Sequence, residues 1–174
     1  MTERTTGRIT GRKVASKLLA VFAAAALAGA ALASDWRYYE TKPFGFSMLV
    51  PTGTRLVERE WGGGWGGLSG RSENVMFYAQ AKLGYKETDT DIETYALRTI
   101  GIPASAWIKI DQGANTRGWE RFATFKANLG SKLYYGMYGV GKKGNYLLYL
   151  ETTPSDYMAY KTDYDKWYES IRLD

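Results

Sequence analysis

An antiparallel α+β fold, with about six or seven strands and two main helices packed on the sheet, is predicted by three observations. The stretch Trp119 to Leu150 reads as three β-runs joined by short turns, which makes a meander. From Asp156 the period changes: Tyr157, Tyr160, Tyr164, Trp167 and Ile171 recur three and four apart and share one helical face. Earlier, alternating runs at residues 44–50 and 74–83 flank a second sheet region, and a helical pattern between Thr88 and Gly101 separates it from the meander.

The elements follow in chain order. Asp35 to Pro43 is aromatic and charged and carries no clear period. Phe44, Phe46, Met48 and Val50 alternate on one face of a strand that Pro51-Thr-Gly53 ends with a turn. Residues 55–61 predict a second strand, leading into Gly62-Gly-Gly-Trp-Gly-Gly67, where the glycine density predicts a flexible loop. Val75, Phe77, Ala79, Ala81 and Leu83 alternate against Met76, Tyr78, Gln80 and Lys82, as in a strand with one face well buried. In the helix that follows, Ile92, Tyr95, Ala96, Thr99 and Ile100 share a side. Thr90-Asp-Ile-Glu93 has the spacing of a capping box, and Gly101 and Pro103 stop the helix. Trp107 to Asp111 is a short strand and Gln112 to Gly118 a loop. In the meander, Asn128-Leu-Gly-Ser131 and Gly141-Lys-Lys-Gly-Asn145 supply the turn residues.

The first 33 residues read as an export leader rather than as part of the fold. Arg4, Arg8, Arg12, Lys13 and Lys17 form a basic region, Leu18 to Ala30 is apolar, and Ala31-Leu-Ala33 fits a cleavage site. The apolar stretch of about 16 residues falls short of the roughly 20 that a spanning helix needs, so no transmembrane anchor is expected after cleavage. Residues 34–174 then form a single domain of 141 residues, exported to the periplasm or beyond. The leader holds five of the 23 basic residues and one of the 18 acidic ones, which leaves the domain at +1. The basic pI therefore carries no nucleic-acid inference.

The chain contains no His and no Cys, so it cannot build a Ser-His-Asp or Cys-His relay or a His- or Cys-ligated metal site. No cofactor, metal or catalytic residue is assigned, and the domain is expected not to be an enzyme. Glu58 and Glu60 share a strand face, which is the one arrangement suggesting glycan cleavage, but Arg55 and Arg59 beside them also fit an ordinary charged surface. Asp89, Asp91 and Glu93 mimic part of a calcium loop, yet Thr94 stands where Gly is needed and Ile100 where the last Glu belongs. A capped, acidic first turn explains them. Gly62 to Gly67 and Gly139 to Gly144 match a dinucleotide glycine pattern without the strand-to-helix context it requires. Gly67-Leu-Ser-Gly-Arg71 fails as a nucleophile elbow.

Phe44-Gly-Phe-Ser-Met-Leu-Val-Pro51, the late strand Tyr146 to Leu150, and a final helix ending Ser170-Ile-Arg-Leu173 together resemble PsbP-like domains. Thr54-Arg55 stands where that family usually has an aromatic, and the Gly-Trp loop is not part of its pattern. The resemblance implies a sandwich around an antiparallel sheet, used for binding and assembly, and it transfers no catalytic residue.

The aromatics point to binding. All six Trp and 14 Tyr follow the leader, and interleaved Tyr134, Tyr135 and Tyr138 mean either a sheet covered on both faces or an exposed ring platform. Trp61 and Trp65 in the glycine stretch, with Arg71 at its rim, are the expected contact residues for an envelope protein or glycan. The expectation is thus a binding or assembly module acting through an aromatic surface. The alternatives are a carbohydrate-binding or glycan-cleaving protein using Glu58 and Glu60, and a folded spacer whose loop is inert.

Overall fold

The computed structural model describes residues 35–174, so the predicted leader lies outside the described residues. Among those described, no helix is long and apolar enough to cross a membrane.

The main sheet is antiparallel and seven-stranded. Its strands are β3 (Arg55–Gly62), β4 (Trp65–Ser72), β5 (Val75–Leu83), β6 (Ile108–Thr116), β7 (Trp119–Leu129), β8 (Lys132–Gly141) and β9 (Gly144–Thr152), in the spatial order β3-β4-β5-β9-β8-β7-β6. A smaller sheet joins β1 (Trp36–Thr41), β2 (Phe46–Pro51) and β10 (Arg172–Leu173), with β2 in the middle. The helices are α1 (Asp89–Ile100), α2 (Pro154–Ala159) and α3 (Lys161–Ser170).

Alternation along the central strands explains the layering. In β9, Tyr146, Leu148 and Leu150 join one buried cluster, while Leu147 and Tyr149 join another on the opposite face. In β8, Leu133, Tyr135 and Met137 divide from Tyr134, Tyr138 and Val140 in the same way. Both faces are therefore covered, which settles the two options for the interleaved tyrosines. α1 covers one face through Ile92, Tyr95, Ala96 and Ile100. α2, α3 and the small sheet cover the other, where Phe46, Met48 and Val50 of β2 meet Tyr164, Trp167 and Ile171.

Several local expectations are corrected. The glycine stretch 62–67 is a tight hairpin, not a flexible loop: β3 runs to Gly62 and β4 starts at Trp65. Gly62, Gly63 and Gly64 supply the positive φ of the turn, while Gly67 serves close packing, since a Cβ there would lie 2.0 Å from the Ala79 carbonyl oxygen of the neighbouring strand. Residues 112–116, expected as loop, continue β6, which pairs with β7. This edge strand is exposed along almost its whole length, so it never acquires the apolar alternation that marks a buried strand.

The helical caps differ as well. Thr88, not Thr90, caps α1: its hydroxyl accepts from the Asp91 amide, and the Asp91 carboxylate accepts from the Thr88 amide at 3.1 Å. The final helical segment breaks at Tyr160, where φ −115° and ψ 21° interrupt the ladder between α2 and α3. Asp35 to Pro43, which had no period to read, contains β1, antiparallel to β2.

Candidate functional site

On the α1 face, the β3–β4 hairpin and α1 enclose a cleft of about 730 Å³. Trp61, Gly62, Gly63 and Trp65 supply the hairpin wall, and Asp91, Thr94, Tyr95, Arg98 and Thr99 line it from α1. Those α1 positions lie three and four apart, so one stripe of the helix faces the cleft. Tyr78 and Lys82 of β5 and Tyr149 and Glu151 of β9 form the floor.

The aromatic framework is rigid. Trp65 stacks on Tyr95 with centroids 4.0 Å apart and planes 3° from parallel, and Tyr78 stacks on Tyr149 at 4.7 Å. Trp65 is only 3% exposed, while Trp61 and Tyr78 are half-buried. Tyr95 donates a hydrogen bond to Gln80 Oε1 at 2.7 Å, and Gln80 lies fully buried between Tyr78 and Lys82 on the same face of β5. Its Nε2 has no partner.

The charges are mostly satisfied inside the protein. Lys82 pairs with Glu87 at 2.6 Å, and that hydrogen bond raises the Lys82 pKa. Glu151 pairs with Lys132, and Asp91 is committed to Thr88, whose hydroxyl and amide hold its carboxyl below the usual range. Asn145 anchors the corner, accepting from the Glu87 amide and donating to the Lys82 and Tyr85 carbonyls. Burial raises the pKa of Tyr78, Tyr95 and Tyr149, so their hydroxyls stay protonated.

Of the residues singled out from sequence, Trp61 and Trp65 meet at this cleft. Arg71 does not join them: it lies at the far end of β4, about 20 Å away by strand rise, on a smaller recess with Asn74, Lys132 and Thr152. Trp65 is a strand residue packed in the core rather than a loop residue over a ligand, because its ring fills the gap beneath Tyr95. Glu58 and Glu60 are exposed on the edge strand β3 and line a shallow groove with Phe44, Ala81 and Leu83. Among the described residues, no other carboxylate borders that groove to face them across a sugar. Tyr78, Tyr149 and Arg98 were missed because only the folded sheet brings β5, β9 and α1 together.

The acidic turn of α1 is likewise structural. Asp89 pairs with Arg121 and Glu93 with Lys109, and no metal-capable cluster occurs among the described residues. Burial pushes the Glu93 carboxyl up, but hydrogen bonds from Lys109 and Tyr138 outweigh it and hold the pKa below the ordinary 4.5. Burial and Glu93 in turn push Tyr138 up to about 12. A lowered native pKa gives stability that is complete above the unfolded-state value and lost as pH falls through the native one. Glu93→Gln is therefore expected to make stability fall less steeply below pH 4.5. Urea titrations at a series of acidic pH values check this, and identical acid limbs would remove Glu93 from the account.

No family model matches the sequence, and no curated protein matches it significantly. Among solved structures it is similar to the cyanobacterial PsbP protein (CyanoP) of Synechocystis, whose solution structure aligns with a TM-score of 0.58 at 15% identity. The alignment covers 84% of this chain and 96% of that one. The fold is PsbP-like.

Proposed function

We propose that this chain is an exported, non-enzymatic binding module that engages its partner in the envelope through the cleft between α1 and the β3–β4 hairpin. The observation that carries this reading is the half-buried pair Trp61 and Tyr78, set on stacked aromatic supports beside Arg98, Thr94 and Asp91. Trp61 and Arg98 are the contact residues, and Trp65 holds the wall behind them.

A binding rather than catalytic role is supported by the side-chain chemistry. Lys82 is paired and its pKa is raised, so it stays protonated and offers no free amine as base, and the tyrosine hydroxyls are too weakly acidic to act as nucleophiles. Rigid strands and a capped helix position the site, as a preformed binding surface requires. The export half of the reading rests on the basic, apolar and Ala-x-Ala sequence of the first 33 residues.

Site-specific photo-crosslinking tests the cleft. A benzoylphenylalanine at Thr94, on the exposed rim, is expected to capture envelope material that the same probe at the remote, exposed Met158 does not. Trp61→Ala is expected to abolish that capture. Equal labelling from positions 94 and 158 would rule out the cleft as the contact site.

A further inference from the structure

On the premise that the cleft is the contact site, we infer that its ligand is an acidic glycan, with a pyranose ring laid on the Trp61 indole and a carboxylate held by Arg98. The lining combines aromatic faces with the hydroxyls of Thr94, Thr99 and Tyr78 and with the charged tips of Lys82, Asp91 and Glu151. A wholly apolar ligand would cover the Tyr78 hydroxyl and the Arg98 guanidinium, which have no side-chain partner among the described residues. A sugar ring offers both surfaces at once: an apolar C–H face for the indole and a girdle of hydroxyls for the polar tips. The volume of about 730 Å³ lies within the range of small-ligand sites and suits a short oligosaccharide.

Charge accounting selects the acidic class. The carboxylates of the lining already have partners within the protein, in Lys82–Glu87, Lys132–Glu151 and the Asp91 cap. Arg98 is exposed on the rim and makes no ion pair or side-chain hydrogen bond among the described residues. A guanidinium left in this state matches the forked geometry of a carboxylate. Arg98 is therefore the charged donor of the lining left without a partner among the described residues, which an anionic sugar complements.

Calorimetry on residues 34–174 tests this with three acidic probes, trigalacturonate, a hyaluronan tetrasaccharide and the disaccharide N-acetylglucosaminyl-N-acetylmuramic acid, against neutral cellotriose and chitotriose. At least one acidic probe is expected to bind tenfold or more tighter than either neutral sugar, with the preference shrinking as salt is raised. Arg98→Gln is expected to erase the preference while the melting temperature holds, and Trp61→Ala to weaken that acidic probe tenfold or more. Failure of all three acidic probes, equal binding of acidic and neutral sugars, or indifference to Arg98→Gln would overturn the assignment. If the cross-link at position 94 still depends on Trp61 while no sugar binds, the glycan class falls and the cleft stands. If that cross-link is lost too, both fall.

Discussion

Gly139→Ala is expected to lower stability by about 3–5 kcal/mol and the melting temperature by more than about 10 °C. Gly139 lies in β8, between β7 and β9, with φ +155°. A Cβ there would lie 2.1 Å from the Arg121 carbonyl oxygen and 2.7 Å from the Phe122 Cα, so the obstruction is backbone and cannot rotate away. Moving β7 to make room would break the ladder that spans Trp119 to Leu129 and open the interface with β6 as well. Gly130→Ala is the control. Gly130 also has positive φ, at +59°, but a Cβ there meets nothing within 4 Å, so only the conformational cost of about 1 kcal/mol remains. Thermal and urea unfolding of the two variants decide the matter, and similar losses at both positions would show that interstrand contact is not the cause.

Trp167→Ala carries the second large effect, about 3–5 kcal/mol. Trp167 is fully buried on α3, tilted against Phe77 of β5 with ring centroids 5.9 Å apart, in the cluster that joins α3 to both sheets. Truncation opens a cavity where three layers meet, and neighbours anchored in separate ladders cannot all collapse into it. The indole N–H has no acceptor, so Trp167→Phe removes an unmet donor along with part of the ring. It is therefore expected to cost less than about 1.5 kcal/mol. Equilibrium urea unfolding gives both values. A Phe variant as unstable as the Ala variant would mean that the N–H is bonded after all.

The fold was legible wherever one face of an element is buried and the other is not. Phe46, Met48 and Val50, and the set from Val75 to Ala81, show period two, and each group is buried on a single side. Tyr157, Tyr164, Trp167 and Ile171 show helical spacing and are buried together, although the backbone break at Tyr160 leaves no mark in that spacing. The illegible parts have physical reasons. The second half of β6, residues 112–116, exposes both faces and shows no period. β4 is rich in glycine because its neighbours approach closely, and from sequence alone that density reads as looseness. Thr88 and Thr90 both have an acid three residues on, so propensity cannot choose between Asp91 and Glu93 as the capping partner; the pairing of Glu93 with Lys109 and Tyr138 decides it.

For the site, the two tryptophans were legible as an aromatic feature, and the cleft was not. Trp61 and Trp65 stand near each other in sequence, but the floor comes from Tyr78 and Tyr149, whose strands pair across the sheet with Tyr78 opposite Tyr149. Arg71 followed from proximity in sequence, and an extended strand carries it away from its neighbours instead of beside them. Long-range register, rather than composition, therefore decides which side chains share a surface here.

The small sheet ties an early strand of the described chain to a late one. Its middle strand is made early in the chain, yet Phe46 finds its antiparallel mate in Leu173, and Leu173 is further tied through its amide to the Arg117 carbonyl at 2.9 Å. A polypeptide threaded from its amino end cannot shut this clasp until the final residues are free, so the loop-closure entropy is met last. Until then the Phe46, Met48 and Val50 strand lacks one of its two flanking strands.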